Sequence, residues 1–536
     1  MSSATRLIGC GLGLALSASF LLTQTPAASA PRTLRADGPT AAPAGARSAC
    51  TVSRLAPKRQ LRGEWIATVN NVDWPSKPGL TPDEQRAELV SWLDEAKRRG
   101  LNAVVLQVRP TADTFWPSRI EPWSRFLTGV AGQDPGYDPL AFAVRAAHKR
   151  DLELHAWFNP FRVAMNTNRA QLPPDSPASQ HPDWVVAYGG RLYYDPGLPQ
   201  VRDLVRRVVM EVVRRYDVDA VHFDDYFYPY PTARPFPDNA SFAAYGDGFT
   251  DRAAWRRHNI DLLISTLNRR IHRAKPWVKF GVSPFAVWRN ASTDPAGSPT
   301  AAGIETYDDQ YADTRLWVRR QWLDYIAPQV YWNIGYPPAD YAKVLPWWTR
   351  QVRGTDVQLY VGQAAYKVGT STQDPAWSDP REMSKHLAFN SRRPSVRGDL
   401  YFSAKDVRAD RLGFMDRVQR RYYAHPALVP QTAGVPGRAP SRVTGLRAVR
   451  VAGGVRLTWL GHGSSYAVYR FPKPQISRCD LADADHLVAT VHAVAGTSSK
   501  QFLDAQAPTR WRPTYVVTAL DRAYRESRPA HATVGR

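Results

Sequence analysis

The stretch VDAVHFDDYFYPYP, Val218–Pro231, holds the key to the chain. A β-rich run, Ala220–Asp225, ends on two carboxylates and passes into aromatic and proline residues, which stop a strand. The helical patterns Pro199–Arg215 and Arg252–Arg273 flank it. The unit is therefore helix, strand, polar and aromatic strand end, helix. The same unit recurs along the chain. Further strand runs are expected at Gly63–Val69, Asn102–Arg109, Glu153–Asn159, Lys279–Phe285, Tyr325–Trp332, Gln358–Ala365 and Gly398–Ala404. Helical patterns at Pro82–Arg99, Pro139–Arg150, Asp309–Leu323, Pro338–Gln351, Glu382–Asn390 and Ala409–Tyr422 separate or follow them. Several open on Pro or Asp, as helix starts do. Eight strands each followed by a helix predict an α/β fold, a (β/α)8 TIM barrel over residues 62–425. An open doubly wound sheet is the alternative, but no glycine-rich phosphate loop follows the first strand.

Outward from the barrel the composition shifts twice. Met1–Ala30 reads as a signal peptide: Arg6 is followed by the mostly apolar or small run Leu7–Leu22, and Ala28-Ser29-Ala30 suits cleavage. Leu7-Ile8-Gly9-Cys10 resembles a lipoprotein box, yet only three residues separate Arg6 from Cys10, leaving no apolar stretch ahead of the cysteine. No other run approaches the ~20 apolar residues of a membrane span. Residues 31–61 read as a flexible N-terminal segment and 426–440 as a linker, both rich in Ala, Pro, Gly or Arg. Over 441–536 short alternating strands replace the helix pattern, predicting a small all-β sandwich. A secreted or extracellular, wall-associated protein is expected. Cys50 and Cys479 then remain, and two readings stay open: a disulfide, or two unpaired thiols.

Composition narrows the partners. Hydrophobic residues at 43% and charged residues at 22% exclude disorder, collagen and coiled coil. Three cysteines in 536 residues exclude a disulfide scaffold or zinc array. The net charge of +22 points to an anionic partner. The C-terminal 96 residues carry +8 of it, the densest share, so anionic wall polymers are expected on the basic C-terminal domain. The export signal argues against nucleic acid, and the sandwich has no RNA-recognition motif.

In such a barrel the chemistry lies at the C-terminal strand ends. Those ends offer Gln107, Arg109, His155, Asn159, Arg162, His222, Asp224, Asp225, Tyr226, Trp288, Asn290, Gln329, Tyr331, Trp332 and Gln363. Hydrogen bonders beside flat rings suit a sugar, whose hydroxyls and apolar face need both. Glycoside hydrolysis asks for two carboxyl groups. His222, Asp224 and Tyr226 share one strand parity, so Asp224 is expected inward as the principal carboxylate. Asp225 is expected against a neighbouring loop or helix, or on the substrate. Asp113 is the first choice for the acid/base, ahead of Glu121, Asp73 and Asp406. His155, His222 and Asp224 lack any tight metal-ligand spacing, and no GxSxG elbow appears, so no metal and no cofactor are expected.

The strings RGEWIATVNNVDWP (62–75), LQVRPTADTFWPS (106–118), PGYDPLAFAVRAAHKRDLELHAWFNPFR (135–162), VDAVHFDDYFYPYP, GVSPFAVWRN (281–290) and DYIAPQVYWNIG (324–335) resemble the glycosyl-hydrolase-like family 10. The resemblance runs from about Arg62 to Tyr423. It implies a (β/α)8 barrel distantly similar to the α-galactosidase and α-amylase superfamily, whose nucleophilic Asp at the end of strand four matches Asp224. One member in enteric bacteria is a divisome-associated glycosidase that cuts peptidoglycan strands lacking stem peptides. A cell-wall glycan substrate is therefore implied. The acid/base in that superfamily often comes from a later strand, and none stands at the end of strand five or six here. Glu64 occupies a position that is usually apolar. Segments VRLTWL, YAVYRF and TYVVTALDRAYRES resemble a fibronectin type III domain. Two other readings remain: a wall-binding protein with a degenerate barrel, and a hydrolase of another polysaccharide.

Overall fold

The expected strands form a closed parallel barrel in the computed structural model, which describes residues 50–370, 374–493 and 499–535. Residues 1–30, expected as a signal peptide, and most of the N-terminal lead lie outside the described residues. The barrel strands are β1 Leu61–Ile66, β2 Ala103–Arg109, β3 Glu153–Phe158, β4 Ala220–Phe223, β5 Lys279–Val282, β6 Tyr325–Ile326, β7 Gln358–Gln363 and β8 Val396–Tyr401. Each pairs in parallel with its sequence neighbour, and β1 pairs with β8 to close the ring.

Most of the helices begin where their sequences say they should. In α1 (Pro82–Arg98) Thr81 and Glu84 form a reciprocal capping box. In α2 (Pro139–Lys149) the Asp138 side chain accepts from the Ala141 amide, and in α4 (Arg252–Ala274) Asp251 plays the same part. Between them α3 spans Pro199–Arg215. Later come α5 Tyr341–Gln351, α6 Glu382–Asn390 and α7 Phe414–Tyr422.

Several expected elements are shorter than their patterns. Asp309–Leu323 breaks into Thr306–Asp309 and Thr314–Arg319, because Tyr311 takes a φ of 52° and Asp313 caps the second piece. Tyr325–Trp332 is a continuous strand only to Ile326. Pro328 has no N–H for the ladder, and beyond it Gln329 makes only isolated bridges to Phe285 and Gly362.

One apolar core lies between barrel and helices, and a second fills the barrel with Leu61, Trp65, Val105, Trp157, Tyr325, Tyr360 and Leu400. A polar floor shares that interior. Lys279 Nζ lies 2.5 Å from Glu153, and Glu153 bonds His155 at 2.9 Å. The Tyr325 hydroxyl bridges His155 at 3.0 Å and His222 at 2.8 Å. A Cβ at Gly281 would stand 2.1 Å from the Tyr325 ring, so β5 takes glycine to admit that phenol.

Glu64 is the exception on β1. It is buried, and neither carboxyl oxygen has a hydrogen-bond partner among the described residues. Burial, and secondarily the charge of Asp73, push its pKa up to about 8. A raised pKa of this kind means stability is lost as pH climbs from the unfolded value toward 8. Glu64→Leu is expected to stabilise the fold by about 1–3 kcal/mol at pH 8, and by less at pH 5. Urea titrations at the two pH values check both sign and trend.

The C-terminal strands are β9 Thr444–Val451, β10 Gly454–Leu460, β11 Ser465–Phe471, β12 Leu487–His492, β13 Ser499–Asp504, β14 Thr514–Leu520 and β15 Ala530–Thr533. They form antiparallel sheets of order β9-β10-β13 and β12-β11-β14-β15. Of these strands β13 and β15 have the weakest apolar pattern: one is mostly polar, the other four residues long.

Residues 50–61, expected as part of a flexible lead, are held in place. Cys50 is bonded to Cys479, and the Gln60 amide donates to the Leu428 carbonyl at 2.9 Å. Leu428 returns a bond to Lys58, and Ala427–Pro430, read as the start of a linker, are buried. The sandwich rests on the N-terminal end of the barrel. His492 stacks on His148 at 4.6 Å, and Arg522 pairs with Asp217 ahead of β4. Its positive charge therefore sits at the end opposite the strand C-termini.

Candidate functional site

At the C-terminal end of the barrel a chain of amides leads to one carboxylate. The backbone N–H groups of Thr68 and Val69, just past β1, donate to Gln107 Oε1 at 2.9 and 2.8 Å. Gln107 Nε2 donates to Asn159 Oδ1 at 2.5 Å, and Asn159 Nδ2 donates to Asp224 Oδ2. The Tyr226 amide donates to Asp224 Oδ1 at 3.2 Å. Three strand ends thus fix one carboxyl group just beyond β4. Each amide can act only one way round, because its oxygen already accepts.

Asp225 follows immediately and turns toward β5 and β6. Its carboxylate accepts from the Tyr230 hydroxyl and the Gln329 side chain, and its carbonyl accepts from Gln310 Nε2 at 2.8 Å. Both carboxyls are buried. Burial, then the neighbouring charge of Asp225, pushes Asp224 up to about 7 against the opposing pull of Arg162, the Tyr226 amide and Asn159. Burial also raises Asp225, with Tyr230 opposing. A carboxyl poised near 7 can hand over a proton at neutral pH, which suits a general acid better than a nucleophile.

Arg162 and a cluster of rings border the pair. Arg162 Nε donates to the Pro110 carbonyl at 3.1 Å, and the guanidinium lies 5.2 Å from the Tyr226 ring. Its terminal nitrogens have no acceptor among the described residues, so they are available to a ligand. Tyr226 meets Tyr230 edge-on, Trp332 meets Phe285 edge-on, and Tyr331 meets Tyr366 edge-on. Burial and the nearby Tyr366, Asp225 and Asp224 hold the Tyr331 hydroxyl in its neutral form. Tyr226, Gln329, Tyr331 and Trp332 all keep part of their surface exposed.

Other residues expected on the substrate face protein instead. Arg109 is fully buried, forks onto Glu121 and bonds the Asn159 and Pro160 carbonyls. It latches the β2 loop to the end of β3. His155 and His222 lie deeper in the barrel on Tyr325, and burial keeps His222 neutral. Asn159 reaches the site through Asp224, and Gln107 through Asn159. Trp288 Nε1 donates to Asp313, while Asn290 bonds Glu305, Thr300 and Ala302. Both are spent on the β5 loop. Gln363 bonds Tyr341, Asp399 and His386 and is fully buried.

Among the described residues Asp113 makes no hydrogen bond to Asp224. Its carboxylate accepts from the Thr111 amide at 3.0 Å and from Ser124, and burial pushes it to about 6. It lines a cavity of about 440 Å³ with Asn70, Trp123, Phe126 and Met165. Tyr230 and Gln310 are the contacts that sequence reading passes over. Tyr230 lies inside the decisive string; Gln310 carries no local signal. Among the described residues no group of three or more His, Cys, Asp or Glu is arranged to hold a metal ion.

Asn159 acts on Asp224 and is a positioning residue. Its N–H favours the ionised carboxylate. Asn159→Ala should therefore move the alkaline limb of kcat/KM to higher pH, besides lowering kcat. An unchanged pH profile would leave Asn159 a purely structural part.

A family model described as glycosyl hydrolase-like 10 matches residues 60–379. Glycosyl hydrolase YngK of Bacillus subtilis is 46% identical over 478 residues, covering 89% of this chain and 93% of that protein. Glycosyl hydrolase DigH of Escherichia coli K12 is 42% identical over 380 residues, covering 67% of this chain and 86% of that protein. Among solved structures, the glycoside hydrolase domain of PgaB (BpsB) from Bordetella bronchiseptica aligns with a TM-score of 0.46 at 14% identity, over 68% of this chain and 99% of that one.

Proposed function

Because the chain belongs to the glycosyl hydrolase-like 10 family, we propose that it is an exported hydrolase of peptidoglycan or a related cell-wall glycan, with Asp224 its principal catalytic carboxylate. The observation that carries the reading is the buried Asp224–Asp225 pair at the end of β4, bordered by Arg162, Tyr226, Tyr331 and Trp332. A sugar ring needs that mixture of donors and flat faces. The protonated form of Asp224 would deliver its proton to the leaving glycosidic oxygen. Arg162 and Tyr226 would hold hydroxyls or a carboxylate of the sugar, and Trp332 its apolar face.

Export is supported by the signal-like segment 1–30 and by the Cys50–Cys479 bond, which belongs to an oxidising compartment. The three-plus-four strand order supports a fibronectin type III-like reading of the C-terminal domain. Its +8 charge, set behind the barrel, suits a tether to anionic wall polymers rather than a part in catalysis.

A panel of substrates tests the reading: peptide-free peptidoglycan strands, peptide-bearing strands, α-glucans and galactosides, each assayed for new reducing ends. Cleavage confined to the wall glycan is expected. Binding to wall glycan without new reducing ends would favour the degenerate, binding-only barrel. Cleavage of α-glucans or galactosides alone would move the substrate elsewhere.

A further inference from the structure

Hydrolases that use two protein carboxyls place them on opposite sides of the scissile bond, roughly 5–9.5 Å apart. Here the two poised carboxyls follow one another on a single strand end, and the other strand ends have spent theirs. Asp73 is taken by the Ala67 and Lys405 amides and the Ser403 hydroxyl. Asp113 accepts from Thr111 and Ser124 and faces the cavity lined by Asn70 and Trp123, and Glu121 is taken by Arg109. Glu305 is held by Asn290 and Thr293, Glu382 by the Ile334 amide and Lys385, and Asp406 by Arg411. Each of these acids staples a loop. The site therefore has two adjacent carboxyls, and among the described residues no third carboxyl is hydrogen-bonded to either of them.

A 2-acetamido sugar brings its own nucleophile. Its amide oxygen reaches C1 of the same ring when the leaving group is trans to it. Such a reaction needs one group to protonate the leaving oxygen and one anion to accept the amide N–H as positive charge grows there. Two adjacent carboxyls meet both needs from one side. Asp225 accepts from the Tyr230 hydroxyl and the Gln329 side chain, donors that favour its ionised form against the pull of burial, and takes the anionic part. The Tyr331 hydroxyl, near both carboxyls and without a hydrogen-bond partner among the described residues, is placed to hold the amide.

We propose that the nucleophile is the 2-acetamido oxygen of the glycan itself, with Asp224 as proton donor and Asp225 as acceptor of the amide N–H, so that the sugar cleaved must be N-acetylated and 1,2-trans linked. The inference rests on the glycan-hydrolase reading above. In the first step the amide oxygen bonds to C1 as the C1–O bond breaks, and the Asp224 proton leaves with the departing hydroxyl. The resulting oxazolinium keeps its N–H on Asp225. Water then bonds to C1 from the opposite face, the C1–oxazoline oxygen bond breaks, and the water proton returns to Asp224. The acetamide is restored, one water is consumed, and the anomeric configuration is retained.

The test uses the full chain on peptide-free peptidoglycan strands that have been N-deacetylated and then re-acylated with acetyl, fluoroacetyl, difluoroacetyl or trifluoroacetyl groups. Each fluorine weakens the amide oxygen as a nucleophile. The rate should fall at every step of the series, with the trifluoroacetyl strand cut at least about a hundredfold more slowly, the scale of one lost transition-state interaction. The deacetylated strand should be inert, and NMR should show a retained anomer. Equal rates across the series, or an inverted product, would overturn the inference and leave the hydrolase reading standing. No cleavage of the re-acetylated control would overturn the hydrolase reading and the inference with it.

Discussion

Asp224→Asn is expected to lower kcat for the proposed glycan cleavage by roughly 10²- to 10⁴-fold, the usual worth of a positioned proton donor. The variant keeps the shape of the side chain and an oxygen to accept from Asn159, but it has no proton to give. Substrates whose leaving group needs no protonation, such as nitrophenyl glycosides, should lose much less. In the wild type, kcat/KM should fall as pH rises through about 7, because the acid is then ionised. Stability has its own signature. A carboxyl whose folded pKa is raised contributes stability that is lost as pH climbs from its unfolded value toward 7. The melting temperature of the variant relative to the wild type should therefore rise between pH 4 and pH 8. Near-wild-type cleavage by the variant would remove Asp224 from the chemistry.

Arg109→Ala destabilises the protein by about 3–5 kcal/mol, since it strands Glu121 as an uncompensated buried charge. The guanidinium and the carboxylate both lie out of solvent, joined at 2.6 and 2.5 Å. The same arginine holds the Asn159 and Pro160 carbonyls, so the end of β3 should loosen too. Replacing both partners with apolar residues, Arg109→Met with Glu121→Met, should recover most of the loss. Chemical denaturation of the three variants checks this. A single variant with unchanged stability and only a raised KM would return Arg109 to the role its place in the sequence suggests, that of a substrate ligand.

That contrast marks what sequence can and cannot reveal here. The barrel is legible because most strands are short β-rich runs that end on polar and aromatic residues, and because helices fill the intervals. The sandwich is legible as a β domain, though polar β13 and short β15 carry too little apolar signal. Strand parity groups His155 with Asn159 and His222 with Asp224. It does not give depth. The two histidines sit a layer below the mouth because Tyr325, from β6, reaches across to both. Carboxylates are the hardest to read. Asp73 looks as available as Asp224 until Ser403, 330 positions later, is seen to bond it. Glu305 and Asn290 likewise cancel one another as ligands. Only tertiary contacts show which acids are spent on loops and which pair is left poised.

Mass spectrometry of products from purified peptide-free peptidoglycan strands tests the central claim most directly. The wild-type chain should release shorter strands with new reducing ends, and Asp224→Asn, folded and at the same concentration, should release almost none. Intact strands after incubation with the wild type, or equal products from both proteins, would contradict the account.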